Sequence, residues 1–414
     1  MNPRLLALAL LVGGCDLISD SFVTNDFSGD PYPILVESDS GAIVVGIREQ
    51  GLEDRVALLD LLSPVTIVDP GPDIAPLVTS ADLTILGLRE PGGALDLPRA
   101  HLEGARTIEV HPCATDGCSV GVPATPRPYG AIIGADVLAG DAVRLRLGDH
   151  QISILADVGG DESDRAYACD AVFPSPYRGG GTLVIAGTEL AFGGRRITLQ
   201  SCLGANPDPD VSQAQRGADA LLVASTGLGI TLLGAAAYER YRIARPGAPA
   251  IETLPEDTVL VASGPITGRR TTIDRLALDA TSSTTPRAPS RAVFGHHLLT
   301  ERNCNREDDC ICEEGDTFCA VPGVVELAPP AGIELLVIGD DEPLLQALRT
   351  ELRPDQAEVD GILGTTAMRS AELDIDYPHD RMLARCTAAG CSARPALPEA
   401  RDRDHVQACI ALTP

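Results

Sequence analysis

The chain has 414 residues and carries 59 acidic against 32 basic side chains, a formal charge of −27. No Lys occurs, so every basic residue is Arg. A surface this acidic repels phosphate and argues against nucleic acid as a partner, and with Trp absent and aromatics at 3% the core has to be built from Ala, Val, Leu and Ile.

The N-terminus reads as a targeting segment. Arg4 precedes an apolar run over 5–12 that is too short to span a bilayer, and Val12-Gly13-Gly14-Cys15 follows, which is similar to a bacterial lipobox. This predicts a signal peptide over 1–14, cleavage before a lipidated Cys15, and a polar tether over 15–30. An ordinary secretory signal with an incidental Cys is the alternative. The expected location is the bacterial cell envelope, facing the periplasm or the cell surface, with the membrane as a partner through Cys15. No later stretch is long and apolar enough for a transmembrane helix.

Beyond the tether, strands are predicted over 34–36, 42–47, Arg55–Leu59 and 65–68, with Asp60 at the turn between the last two. Further strands at 82–88 and 107–110 flank Pro91-Gly92-Gly93, a plausible hairpin tip. Residues 142–154 alternate apolar and polar around Gly148-Asp149, a second hairpin signal. The Pro- and Gly-rich stretch 173–181 divides the chain into units over 31–178 and 179–414. In the second unit short strands are expected at 183–186, 189–192 and 196–199, and a helix at 235–242. A hairpin is expected from 258–262 with 271–278, a strand at 335–338, and a helix over Pro343–Leu352 from the spacing of Leu344, Leu345 and Leu348. A final strand is expected at 406–412.

Twelve Cys suit an oxidising compartment. Cys113–Cys118 and Cys386–Cys391 share one spacing, with Gly just before the second Cys, and read as hairpin disulfides. Cys304, Cys310, Cys312 and Cys319 crowd an acidic insertion over 304–319 that lacks paired Cys-x-x-Cys knuckles. His296 and His297 lie outside it, so two disulfides of open pairing are expected there rather than a metal. Cys169–Cys202 is the preferred remaining pair, which leaves Cys409 free or replacing a partner. No His falls in a metalloprotease or zinc-finger spacing and no phosphate-loop Lys exists, so neither metal nor cofactor is expected.

Two motifs recur in the same order in each half. Leu58–Val68 (LLDLLSPVTIV) is followed by Ile132-Ile133-Gly134, and Leu222–Leu233 (LVASTGLGITLL) by Ile362-Leu363-Gly364. The segments after Gly134 and Gly364 align without a gap, Val143, Leu145 and Leu147 meeting Leu373, Ile375 and Tyr377. These residues resemble the pepsin-like aspartic peptidases, in which each lobe carries an Asp-Thr-Gly turn backed by a strand of two apolar residues and a Gly. The resemblance implies a mainly β fold of two related barrel-like lobes with few short helices and a cleft between them. It places Asp60, Leu61, Leu62 and Ser63 at the first turn, Ser225, Thr226 and Gly227 at the second, and Gly134 and Gly364 on the backing strands. Thr226 is expected to bond across the interface between lobes.

Both turns depart from the family's pattern. The first keeps Asp but has Leu61 and Leu62 for Thr and Gly, and the second has Ser225 for Asp. The family's chemistry needs two carboxylates sharing a proton, one as base and one as acid. Asp60 cannot form that dyad with a Ser hydroxyl, Asp219 lies too far along the strand, and Leu62 is expected to resist a turn built for Gly. The leading reading is therefore a non-catalytic envelope lipoprotein binding a peptide or protein segment in the cleft. The runner-up is an atypical aspartic endopeptidase using Asp60, and the third a structural envelope lipoprotein. A second carboxylate within about 3–4 Å of Asp60 favours the second reading, an open apolar cleft the first, and a cleft filled by Leu61 and Leu62 the third.

Overall fold

The computed structural model of the chain describes residues 32–36, 41–49, 55–69, 76–85, 94–99, 107–108, 127–128, 130–139, 142–155, 171–174, 176–185, 187–205, 217–261, 264–279, 323–352, 358–378 and 380–395. The signal peptide, tether, Cys15, Cys113, Cys118, Cys169, the insertion 304–319, Cys409 and the strand at 406–412 lie outside them. Among the described residues no helix is long and apolar enough to cross a membrane.

Apolar residues at alternate positions, many of them β-branched, make the chain mainly β. Seven strands form a sheet in the first half, eleven form one in the second, and a six-stranded sheet joins the halves. In the first sheet the pairings run in a ring. Ile43–Glu49 pairs with Arg55–Leu59, then come Ala131–Ile133, Ile67–Val68, Ala94–Arg99 and Leu77–Ile85, and the last pairs with Ile43–Glu49 again.

The two halves repeat one another residue by residue. Ile132 faces Leu58 in parallel and Ile67 in antiparallel register, and Ile362 faces Val223 and Leu232 in the same two ways. The connecting bonds repeat as well. Asp69 N donates to Gly130 O and Gly234 N to Asp360 O, both at 2.8 Å. Gly134 N donates to Thr66 Oγ1 at 3.0 Å and Gly364 N to Thr231 Oγ1 at 3.2 Å. A Cβ on Gly134 would sit 2.5 Å from the Val65 carbonyl, and one on Gly364 2.3 Å from the Gly229 carbonyl. Glycine is needed at both because the backing strand passes directly beneath the turn.

In the joining sheet the hairpin Ala142–Arg146/Gln151–Leu155 lies beside Ala371–Asp376/Arg381–Cys386, with Tyr32–Pro33 and Ala171–Pro174 at the edges. At its centre Arg144 faces Asp374, its own equivalent in the repeat. The pair is bidentate, Nε to Oδ1 at 2.8 Å and Nη2 to Oδ2 at 2.9 Å, and both side chains are buried. Arg146 pairs with Glu372 next to it.

The helix Pro343–Leu352 forms where the Leu spacing places it, burying Leu345, Leu348 and Leu352, with Pro at its first position. The helix after the second turn runs Ala235–Ala244, two residues beyond the sequence expectation. The second-half hairpin corrects that expectation further. Glu256–Val261 pairs with Gly264–Ile273, and 271–278 is not one strand. The chain turns at Asp274-Arg275, and Leu276–Asp279 joins the opposite side of the sheet against Arg196–Leu203. In the first half the strand expected from residue 82 already begins at Leu77, residues 86–88 lie outside the described residues, and its partner Ala94–Arg99 was not expected. Cys386 and Cys391 are disulfide-bonded. Cys202 is disulfide-bonded too, but the expected Cys169–Cys202 pairing lies outside the described residues.

Candidate functional site

The two repeated turns meet where the halves face each other. Each is held from behind: Asp60 N donates to Ile133 O and Ser225 N to Leu363 O, both at 2.9 Å. Asp60 and Ser225 thus sit at the tips of matching loops, and the Ser225 hydroxyl donates to Asp60 Oδ1 at 2.8 Å. The same oxygen accepts from Leu62 N at 2.9 Å and Gly227 N at 3.1 Å. Among the described residues no donor reaches Asp60 Oδ2.

Leu62 does not distort the turn, contrary to the sequence expectation. The turn uses the Leu62 amide, which any residue supplies, and Leu62 has a negative φ that L side chains adopt freely. Its side chain lies against the cluster containing Leu228 and Ile362. The glycine that the site does require is Gly227, where a Cβ would fall 2.6 Å from Asp60 Cγ.

Thr226 bonds across the halves. Its hydroxyl donates to Leu59 O at 2.7 Å and accepts from Leu61 N at 3.0 Å. No reciprocal hydroxyl exists, because Leu61 stands at the matching position and is buried in the larger core. Magnitudes explain why this holds. A hydroxyl's hydrogen bonds contribute about 0.5–1.5 kcal/mol each, whereas burying a Leu side chain contributes about 1.5–3 kcal/mol. Leu61 therefore offsets the bonds that it cannot make. Asp219 pairs with Cys202 along the strand and takes no part in the site.

Between the turns opens a cleft of about 300 Å³. Its wall is apolar: Leu62, Ile67 and Ile132 from one half, Leu228, Val261 and Ile362 from the other, with Leu344 of the helix Pro343–Leu352 at the rim. Asp60 is the one carboxylate among the described residues that line it, and Ser63 and Ser225 line it as well. Ser63 Oγ donates to Val65 O at 2.6 Å. The cleft is not filled by Leu61, which faces the core.

Sequence reasoning missed Arg196. It lines the cleft from the second half, donates to the Leu62 carbonyl of the first, and forks onto Glu351 with Nε and Nη2 both at 2.7 Å. Its only signal in the sequence is Gly193-Gly194-Arg195-Arg196, and nothing there points to a helix 155 positions away. Asp136, behind the first turn, accepts from Thr66 N and Oγ1 and from Val137 N. Burial, the largest influence, nevertheless lifts its carboxyl above the ordinary value. Among the described residues no group of three His, Cys, Asp or Glu is placed to hold a metal ion.

Chemically the site is one carboxylate with a hydroxyl neighbour. Ser225 is 1% exposed, and Gly227 N is engaged by Asp60 rather than open to an oxyanion beside Ser225. What the arrangement offers is a fixed acceptor on an apolar wall.

No family model and no curated protein matches the chain. Among solved structures, the chain is similar to an aspartic proteinase from Irpex lacteus at 11% identity and a TM-score of 0.37, over 87% of this chain and 97% of that one. It is also similar to Basic 7S globulin from soybean at 10% identity and a TM-score of 0.37, over 86% and 94% respectively.

Proposed function

We propose that the chain is an exported protein, anchored through a lipidated Cys15, whose cleft binds a peptide or protein segment without cleaving it. The observation that carries this reading is the neighbour of Asp60. A Ser hydroxyl lies 2.8 Å away, where two-carboxylate hydrolysis needs a second acid. A Ser hydroxyl has no carboxylic acidity, so it does not supply the second acid of a proton-sharing pair. The open, apolar cleft supports binding, since its volume of about 300 Å³ lies at the lower end of the range for ligand sites.

The test combines binding with product analysis. Purified protein is titrated into labelled unfolded peptides at acidic and neutral pH, and the bound fraction is recovered and weighed by mass spectrometry. Peptides should bind and return intact. Cleavage abolished by Asp60→Ala would overturn the non-catalytic reading in favour of an atypical endopeptidase. Failure of every peptide to bind would leave the structural role. Anchoring is tested separately: labelled fatty acid should enter the wild type and not Cys15→Ser, and equal release of both forms from membranes counts against it.

A further inference from the structure

We propose that the segment captured by the cleft presents a lysine side chain, its ammonium on Asp60 Oδ2 and its methylene stem along the apolar wall. This rests on the cleft-binding reading and adds the chemistry of the ligand.

The inference comes from sorting the polar groups that line the cleft into donors and acceptors. The Ser225 hydroxyl gives its hydrogen to Asp60 and the Ser63 hydroxyl gives its own to Val65 O, so both oxygens face a ligand only as acceptors. Among the described residues, Asp60 Oδ1 is filled by three donors and Oδ2 by none. Arg196, the one cation among the described residues that line the cleft, spends three of its five N–H donors on Glu351 and Leu62 O, and Glu351 neutralises its charge. The side chains of the cleft thus present three acceptor oxygens: Asp60 Oδ2, Ser225 Oγ and Ser63 Oγ. A ligand with several donors and a positive charge meets them, whereas an anion would face the Asp60 charge.

The remaining choices narrow the donor. Arg binds carboxylates best through a two-pronged fork, which needs both oxygens, and here one oxygen is taken. An ammonium is a compact charge with three donors and needs only one oxygen of the pair. A chain N-terminus brings an ammonium too, but its peptide groups follow directly and would be buried without partners against Leu228, Ile362 and their neighbours. A lysine stem carries no polar atom before its end. The ligand is also not a second copy of this chain, since the chain contains no Lys. The net charge of −27 draws cationic segments toward the protein from a distance.

The experiment uses short labelled peptides, acetylated and amidated at their ends and identical except for a central Lys, Arg or norleucine. A fourth peptide has norleucine and a free N-terminus. Affinities are read by fluorescence anisotropy at physiological and at raised salt. For the wild type the Lys peptide should bind about tenfold or more tightly than the norleucine peptide, and more tightly than the Arg peptide and the free N-terminus. In Asp60→Asn, where the amide oxygen can still accept the three turn bonds while a donor replaces Oδ2, the Lys advantage should disappear. Equal binding of Lys and norleucine peptides, or tighter binding of Arg, overturns the lysine inference and leaves cleft binding standing. A Lys advantage that survives in Asp60→Asn overturns it by placing the cation elsewhere on the acidic surface. If no peptide binds, both readings fail. Should Asp60→Asn not fold, the raised-salt arm decides: a Lys advantage that persists there supports the sheltered Asp60 site, and one that is lost places the cation on the exposed surface and overturns the inference.

Discussion

The ion pair at the centre of the joining sheet offers a quantitative test of how the halves are held. Arg144→Leu removes two charge-assisted bonds, at 2.8 and 2.9 Å, from an Asp374 side chain that is 0% exposed. Glu372, at 4% exposure, also loses a charge 3.6 Å away but keeps Arg146. Breaking one side of a buried pair costs about 3–5 kcal/mol. Replacing both partners by apolar residues is nearly neutral by the same reasoning. The expected result is a loss of about 4 kcal/mol for Arg144→Leu and for Asp374→Leu taken singly, but only about 1–2 kcal/mol for the two together, a large coupling. Urea unfolding followed by far-ultraviolet circular dichroism, with the disulfides intact, measures all four corners of the cycle. Additive losses in the double variant would refute the reasoning, because they would mean that the two charges are stabilised independently of each other.

Two further outcomes are expected. Gly227→Ala sets a methyl 2.6 Å from Asp60 Cγ, so Asp60 has to shift; the variant should lose about 1–3 kcal/mol of stability and bind the Lys peptide more weakly, and wild-type values for both would refute the close approach. Burial lifts the Asp136 carboxyl above its ordinary 3.8 against the lowering bonds from Thr66 and Val137. An acid raised on folding holds its proton more tightly in the folded state, so its contribution is fully present below 3.8 and is lost as pH rises through the raised value. Asp136→Asn should flatten that fall in unfolding free energy, and equal slopes for variant and wild type would contradict it.

The sequence carried the repeat because its signals are local and obligatory. Gly134 and Gly364 are fixed by carbonyls that leave no room for a Cβ, and the two consecutive apolar residues before each glycine belong to a strand buried at every position. The helix Pro343–Leu352 was legible from its Leu spacing and its leading Pro. The second-half hairpin was not legible. Thr271–Ile273 and Leu276–Leu278 read as one run, yet the first belongs to one side of the sheet and the second to the other, and only the Asp274-Arg275 turn between them marks the break. The intact first turn was hidden for a different reason. Its bond comes from an amide, and the identity of the side chain at Leu62 says nothing about it. Arg196 was hidden because its partners, Leu62 and Glu351, are 134 and 155 positions away.

The departures from symmetry form a pattern. A chain that repeats itself brings equivalent positions together where its halves meet, and each of three such meetings here joins unlike residues. At the sheet centre Arg144 meets Asp374, where two arginines or two aspartates would repel. At the turns Asp60 meets Ser225, so one side supplies the charge and the other a hydroxyl. One step along, Thr226 makes the cross-bonds and Leu61 makes the packing. The first meeting fixes how the halves register, the third holds the turns against each other, and the second sets what the cleft can do. A symmetric pair of carboxylates would share a proton and alternate as acid and base. The unlike pair leaves a single carboxylate whose inner oxygen is tied down and whose outer oxygen is open. The same asymmetry gives the cleft a polarity, and it is this polarity that the comparison of Lys, Arg and norleucine peptides tests.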